Sequence, residues 1–432
     1  MVGDEALLGA ERFGQFPHRA RTVEEAEDDP QAIRLAERAE EVRLPGGVVV
    51  TRIRRHAGNV PLLGEAVESA LTHERAFMYD AAMRTKSAPR SRENDLRTWL
   101  REYYGRVLRS NRDFEKSACC TGETERRHAP ILALLPAEVT ERHYGCGCPI
   151  PDDDLSGLRV LDLGSGAGVD CFILSKLVGP RGFVLGVDMT DEQLAVARRH
   201  APAVAKAFRH AKPNVSFEKG FIETCDGVPD GSIDLVVSDC VINLSPAKDR
   251  VFRTIHRVLK NGGEFFVSDI AADRRVPDSI RNDPKLVAEC LGLALYEHDW
   301  FDAMKDAGFP DPRVVRRSVV ARDVAGEPIV FSSLTVRAFK LDPPLERRCE
   351  DYGQTAAYRG TIAGLPARFS LDDHHEFEAG RPLAVCRNTA RMLSETRLAR
   401  HFDVTDAIRH FGLFPCGPAA PSREGGGAAP CC

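Results

Sequence analysis

No stretch of the chain comes near the ~18 consecutive apolar residues that a membrane-spanning helix needs, so no membrane partner is expected. Neither sign of charge dominates: 59 Lys and Arg stand against 64 Asp and Glu, a formal net of −5. That balance argues against a general nucleic-acid coat protein and against a polybasic membrane binder. An apolar signal core and a basic amphipathic transit helix are both lacking at the N-terminus, which is polar and acid-rich around Glu24, Glu25, Glu27, Asp28 and Asp29. The expected location is the cytoplasm. Cysteine is too scarce for a disulfide scaffold: 13 residues in 432, and an odd number. The C-x2-C spacing of structural zinc sites is missing, since one residue separates Cys146 from Cys148. Internal repeats are missing too.

What is present fits a soluble globular chain. Hydrophobic residues make up 43% and charged residues 28%, with 35 Gly and 27 Pro, and the length leaves room for two or three domains. Residues 1–95 are charged, with short helical patterns such as Ala32–Val42 and one strand candidate at Gly47–Ile53. They read as an N-terminal extension of unassigned role. Ser87–Glu93 reads as a linker. Gly417–Pro430 is rich in Gly, Ala and Pro, and is expected to be disordered within a flexible, thiol-bearing tail, 416–432.

From Gly157 the pattern changes. Leu158–Leu163 is a short apolar run, followed by Gly164-Ser165-Gly166-Ala167-Gly168 and an amphipathic helix, Val169–Val178. Phe183–Val187 is a second apolar run ending at Asp188, and Asp191–Ala211 is a long helix. Val215–Phe217, Ile233–Ser238 and Glu264–Ser268 complete five strands, with a helix at Asp249–Leu259. Strands alternating with helices predict an α/β fold on a parallel, doubly wound sheet.

A glycine-rich turn after the first strand, opening a helix, is a nucleotide-type site at the carboxyl edge of such a sheet. A dinucleotide fingerprint, G-x-G-x-x-G, wants glycine at the sixth position from Gly164, where this chain has Val169. The glycines instead fall at 164, 166 and 168 behind Asp162. This Asp-x-Gly-x-Gly-x-Gly form resembles motif I of the class I S-adenosylmethionine-dependent methyltransferases. The resemblance implies that class's Rossmann-like fold and S-adenosylmethionine as cofactor. Bare glycines let the backbone approach the methionine part, and Asp162 can receive its ammonium group. Asp188 can accept both ribose hydroxyls, Met189 can cover the adenine, and Ile222 and Glu223 fall where the class contacts that ring. Tyr144 and Ser165 complete the expected cofactor set. An ordinary tight turn with a helix-capping Asp is the plain alternative.

Strand four runs into Asp239-Cys240-Val241, where many methyltransferases hold the substrate beside the cofactor. Upstream, glycines flank Cys146 in Tyr144-Gly145-Cys146-Gly147-Cys148, and Cys290 follows strand five. Three thiols distant in sequence could therefore converge on one pocket, with Cys119 and Cys120 as a further pair. Taken singly, each also fits a buried small apolar residue.

As a whole, the sequence resembles the arsenite methyltransferases. The matching motifs are Tyr103-Tyr104-Gly105, the Ala-Cys-Cys-Thr at 118–121, the Tyr-Gly-Cys-Gly at 144–147, the Leu-Asp-Leu-Gly-Ser-Gly at 161–166 and Asp188-Met189-Thr190. They continue through the Cys-Val-Ile-Asn-Leu at 240–244 and the Glu-Cys-Leu-Gly at 289–292. The Tyr-Arg-Gly-Thr-Ile at 358–362 and Leu-Asp-Asp-His-His at 371–375 look like the microbial and algal branch. The resemblance runs from about 97 to 415 and leaves residues 1–95 outside it. It implies a cofactor domain at 97–275, an arsenic-binding region at 276–340 and a small α+β C-terminal domain at 341–415.

By this resemblance Cys146, Cys240 and Cys290 bind trivalent arsenic, and Cys119 forms a disulfide with Cys146. Two departures stand out: Cys148, an alternative ligand or merely a small side chain, and Leu293, where a second glycine is frequent. Trivalent arsenic is thiophilic, and three thiolates leave it a lone pair that can attack the sulfonium methyl. That nucleophile carries no proton, so no strong general base is needed. Methyl transfer oxidises the arsenic; the Cys119–Cys146 pair would supply electrons, and thioredoxin or glutathione would reset it. Arsenite and trivalent methylarsenicals are the expected substrates, with no nucleic-acid partner, in a monomeric enzyme. A related methyltransferase of a small organic nucleophile, and a thiol protein that only sequesters the metalloid, are the rivals.

Further on, Val320–Lys340 alternates as strands do, and Thr389–Phe402 reads as a helix. Asp372, Asp373, His374 and His375 fit a solvated turn better than a metal cluster. Cys171, Cys225, Cys349 and Cys386 read as structural. Cys431-Cys432, with Cys416 at the base of the tail, could capture arsenite or be inert.

Overall fold

A computed structural model describes residues 5–8, 39–43, 49–54, 89–108, 110 and 123–415. The chain divides into two compact units, Met1–Lys86 and Ser87–Cys432. Cys119, Cys120, Cys416, Cys431, Cys432 and the 417–430 stretch lie outside the described residues.

In the first unit, β1 (Glu5–Leu8), β2 (Ala39–Arg43) and β3 (Val49–Arg54) form an antiparallel sheet in the order β1-β3-β2. The strand candidate at Gly47–Ile53 is met by β3. Part of the helical pattern over Ala32–Val42 is instead strand β2. A short isolated helix is marginal in water, whereas pairing with β3 satisfies this backbone.

In the second unit, α1 (Pro89–Glu102) starts inside the stretch expected to be a linker. Proline at a first helical position gives up no hydrogen bond, so Pro89 opens the helix instead of breaking the chain. A π-helical turn follows at Tyr103–Val107, then α2 (Glu123–Leu132).

The central sheet contains β4 (Arg159–Leu163), β5 (Phe183–Asp188), β6 (Val215–Lys219), β7 (Ile233–Asp239), β8 (Leu259–Ala272), β9 (Leu295–Tyr296), β10 (Arg313–Val324) and β11 (Glu327–Phe339). Its order is β10-β11-β8-β7-β4-β5-β6, with β9 on β8. Strands β4 to β8 are parallel, as expected. β11 runs antiparallel to β8, and β10 antiparallel to β11. The alternation over Val320–Lys340 thus belongs to the main sheet, and the hairpin completes its edge. The chain moves outward from β4 through β5 to β6, then returns to β7 on the other side. That reversal opens a crevice beyond the carboxyl ends of β4 and β7, the ligand position of open α/β sheets.

Alternation along each strand splits the core in two. Val160, Leu235, Val237 and Phe266 face α3 (Val169–Val178) and α4 (Asp191–Ala207). Leu161, Val236, Phe265 and Val267 face α5 (Lys248–Val258) and α6 (Glu297–Asp306). Among the described residues no helix is long and apolar enough to cross a membrane.

Beyond β11, α7 (Arg387–Ser394) packs with seven short strands. β12 (Glu350–Asp351) pairs with β18 (Gly412–Leu413), β13 (Gln354–Tyr358) lies between β16 (Pro382–Val385) and β17 (Phe402–Val404), and β14 (Arg368–Ser370) pairs with β15 (Glu376–Glu378). Tyr358, Phe369, Phe377, Met392 and Phe402 form their core. The helix expected over Thr389–Phe402 stops at Ser394, because Thr396 caps a new 3₁₀ turn at Arg397–His401 and Phe402 enters the sheet. Arg397 of that turn pairs with Asp153 at 2.8 Å and also with Glu264, which Arg337 holds at 2.7 Å. These four buried charges join the C-terminal layer to the central sheet.

Candidate active site: a glycine turn beside converging thiols

The turn after β4 is left-handed at Gly164 (φ 74°), Gly166 (φ 51°) and Gly168 (φ 90°), conformations that favour glycine. A Cβ on Gly164 would lie 2.4 Å from Val241, the residue after Cys240. A Cβ on Gly166 would meet nothing within 4 Å and would project into open space. The second strand holds this turn: Asp188 accepts from Gly166 N at 2.9 Å and from Thr190 N at 2.7 Å. Each Asp188 oxygen retains lone-pair capacity for a ligand hydroxyl.

The turn forms one wall of a cleft with about 1050 Å³ of free space. Tyr144, Asp162, Gly164, Ser165, Gly166, Asp188, Met189, Ile222 and Glu223 all line it, as does Cys240. Gly168 does not; it precedes α3 and abuts Phe217. Glu223 is more than a ring contact, since its carboxylate takes Arg97 at 3.0 Å and Ser245 at 2.7 Å.

The cleft's polar floor is acidic. Asp162 and Asp170 are buried and Asp239 is largely covered; His143 Nε2 lies 3.7 Å from Asp170 Oδ2 and from Asp239 Oδ2, while Asp170 Oδ1 has no hydrogen-bond partner among the described residues. Burial, then the neighbouring Asp170, pushes the Asp162 carboxyl up, against the Cys171 thiol that donates to it at 3.1 Å. Burial likewise raises Asp239, to about 6. A cluster of carboxylates in which Asp170 Oδ1 is unpaired suits a cationic ligand, and S-adenosylmethionine, with sulfonium and ammonium, fits. Cys171, read from the sequence as structural, is the thiol that supports Asp162 from behind the cleft. Arg97, Tyr104, His143, Asp170 and Asp239 line the cleft without having been singled out as site residues. Helix-start acidity marks Asp170 locally; the side-chain positions of the others follow from tertiary packing.

The thiols converge at the end of β7. Ligand-type atoms of Cys146, Cys240 and Asp269 lie within 4.8 Å of one another. Cys290 is outside that group, and its thiol donates to the Cys240 carbonyl at 3.0 Å. Cys240 (φ 56°) and Cys290 (φ 63°) both hold the left-handed backbone, which is uncommon for non-glycine residues and concentrates at functional sites. All three are buried, and of the three only Cys240 lines the cleft. Burial drives the Asp269 carboxyl up to about 7, although Asn243 N and Ile270 N donate to it. Burial lowers Lys248 to about 8, and its Nζ donates to the Asn243 and Ser245 carbonyls.

The remaining candidates fall elsewhere. Cys148 sits in the core, its thiol raised to about 11 by burial, and Cys225 is buried in the opposite core face. Cys386 caps α7. Asp372 and His375 are buried, not solvated: Asp372 pairs with His375 at 2.8 Å and with Arg313 at 3.3 Å. Asp372, Asp373 and His374 do bring ligand-type atoms within 4.8 Å of one another, but Asp372 is already committed to that network.

A methyltransferase-domain family model matches residues 154–308, and an arsenite methyltransferase C-terminal-domain model matches residues 352–416. The arsenite methyltransferase of Aquipseudomonas alcaligenes is 48% identical over 333 residues, 74% of this chain and 95% of that one. The mouse arsenite methyltransferase is 38% identical over 320 residues, 70% of this chain and 82% of its own. In the crystal structure of the arsenic(III) S-adenosylmethionine methyltransferase of Chlamydomonas reinhardtii, 46% identical, the match covers 66% of this chain and 98% of that chain at a TM-score of 0.64. With this much of each relative spanned, on a class I methyltransferase fold whose cleft ends at a thiol, the chain belongs to the arsenite methyltransferase family.

Proposed function

We propose that the chain methylates trivalent arsenic held by the thiolates of Cys146, Cys240 and Cys290, with S-adenosylmethionine as methyl donor. The observation that carries this reading is the meeting of Cys146 and Cys240 within 4.8 Å beside the cofactor cleft. Soft trivalent arsenic selects thiolates. Arsenite exchanges three hydroxyls for them, each thiol proton leaving with a hydroxyl as water. S-adenosylmethionine, when bound, supplies a methyl group on a sulfonium. The arsenic lone pair makes the new bond to that carbon as the carbon–sulfur bond breaks, and arsenic is formally oxidised by two electrons. Holding the metalloid at the cleft wall, through Cys240, is the protein's share of the work.

Cys119 and Cys146 return two electrons by forming a disulfide, and thioredoxin or glutathione reopens it. Thr124 donates to the Gly147 carbonyl at 2.8 Å, which holds the start of α2 beside Cys146. Trivalent methylarsenicals serve as further substrates, in a monomeric, cytoplasmic detoxification enzyme. Residues 97–275 carry the cofactor, 276–340 contribute Cys290, 341–415 form the C-terminal domain, and the 416–432 tail presents further thiols.

The test is arsenic speciation by chromatography after incubation with arsenite, S-adenosylmethionine and a thiol reductant. Methylated arsenic that disappears in Cys240→Ser is the expected result. Arsenite bound without any methylated product, in protein shown to bind the cofactor, would sink the reading in favour of sequestration. Methylation of a small organic acceptor that survives the triple Cys→Ser change would favour a different substrate.

A further inference from the structure

Two thiols can grip one atom only if their separation is fixed, and Cys146 and Cys240 come from unrelated segments. Cys240 follows directly on β7, a central strand of the sheet that ends at Asp239. Cys146 sits on a loop between α2 and β4, flanked by glycines and with no strand to hold it. What ties the loop to the strand is Asp239, the residue that precedes Cys240. Its Oδ1 accepts from Cys146 N at 3.0 Å and from Gly147 N at 3.2 Å.

The fit around this carboxylate is close. A Cβ on Gly145 would lie 1.9 Å from Asp239 Oδ2, so any side chain there would displace the loop. A Cβ on Gly147 would lie 2.6 Å from Ser268 Cβ, on the neighbouring strand β8. The loop is thus pressed between Asp239 and Ser268, and only glycines at both positions let it lie so close. Thr124 and Arg316 hold its outgoing end through the Gly147 and Cys148 carbonyls, at 2.8 and 3.1 Å.

We propose that Asp239 is a positioning residue for the arsenic site: by gripping the backbone of Cys146 while covalently joined to Cys240, it sets the distance between the two thiols. The inference rests on the reading that these thiols hold arsenic. Asp239 itself need not touch the metalloid. The grip is a matter of acceptor geometry, so an amide oxygen at the same place serves equally well. An alanine does not, and leaves two buried N–H groups without an acceptor.

The test compares wild type, Asp239→Asn, Asp239→Ala and Gly145→Ala. Arsenic K-edge absorption gives the number of As–S bonds in arsenite-loaded protein, and titration with arsenite gives its affinity. Wild type and Asp239→Asn are expected to show three As–S bonds with affinities within about twofold of each other. Asp239→Ala should show fewer, with arsenite affinity weaker by roughly tenfold, the scale of leaving buried N–H groups without an acceptor. Gly145→Ala, which moves the loop but leaves the carboxylate, should behave like Asp239→Ala and decides the matter if the latter does not fold. Three As–S bonds and unchanged affinity in folded Asp239→Ala, or in Gly145→Ala, would overturn the proposal while leaving the arsenic reading intact. An Asp239→Asn protein as impaired as Asp239→Ala would overturn it too, since charge and not grip would then matter. Wild type without As–S bonds would instead remove the reading on which the proposal stands.

Discussion

The Cys290 thiol donates to the carbonyl oxygen of Cys240 at 3.0 Å, and both residues hold left-handed backbone. Cys146 and Cys240 already share a ligand-sized space with Asp269, so a set of three thiolates on one atom requires Cys290 to give up this bond. A third thiolate from Cys290 would thus come from the residue that has to turn away from this carbonyl.

The left-handed backbone predicts an inverted stability order at Cys290. Elsewhere glycine is less favourable than alanine by roughly 1 kcal/mol, whereas at positive φ a Cβ costs about 1–2 kcal/mol. Cys290→Gly is therefore expected to unfold at a temperature equal to or above that of Cys290→Ala, both variants being inactive on arsenite. A clearly lower melting temperature for the glycine variant would refute the strain argument.

Cys171 should act on the cofactor and not on arsenic. Its thiol donates to the motif I carboxylate Asp162 at 3.1 Å, from the first turn of α3. Cys171→Ala is expected to raise KM for S-adenosylmethionine about threefold to tenfold, the scale of one ordinary hydrogen bond, with arsenite affinity unchanged. Cys171→Ser, which keeps a donor, should recover most of the loss. Steady-state kinetics in both substrates check the pair, and equal loss in the two variants would speak against the bond.

The C-terminal layer should carry a defined acid sensitivity through Asp372. Burial alone would raise this carboxyl, but His375 and Arg313 outweigh it and hold it near 2. A folded value below the ordinary 3.8 means that the stabilisation is present above about pH 4 and is lost as pH falls through 2. Asp372→Asn should accordingly be less stable than wild type at pH 7 by about 2 kcal/mol, with the gap closing towards pH 2. Denaturant melts across that range measure it, and a gap independent of pH would exclude the ionic origin.

The fold's central half was legible because its signals are local. A period-two run, a glycine turn and a period-3.6 helix each repeat within about a dozen residues, and β4 to β8 fall where those signals lie. The misreadings share one cause. Ser87–Glu93 has the composition of a linker yet yields most of its length to α1, and the helix expected from Thr389 to Phe402 ends early because Phe402 is claimed by a distant core. Short-range composition carries no term for a partner far along the chain.

The same division runs through the site. The sequence alone determined the chemistry on offer: the order of glycines behind Asp162, a carboxylate closing the second strand, and thiols placed after strands four and five. Those features depend on residue type and spacing, which a single chain displays. Tertiary structure alone decided that Cys146 meets Cys240 while Cys290 turns to a carbonyl, that Asp239 grips the loop of Cys146, and that Cys171 serves Asp162. Those contacts depend on where separate elements pack and how their backbones twist, and spacing along the chain does not encode a distance across the fold.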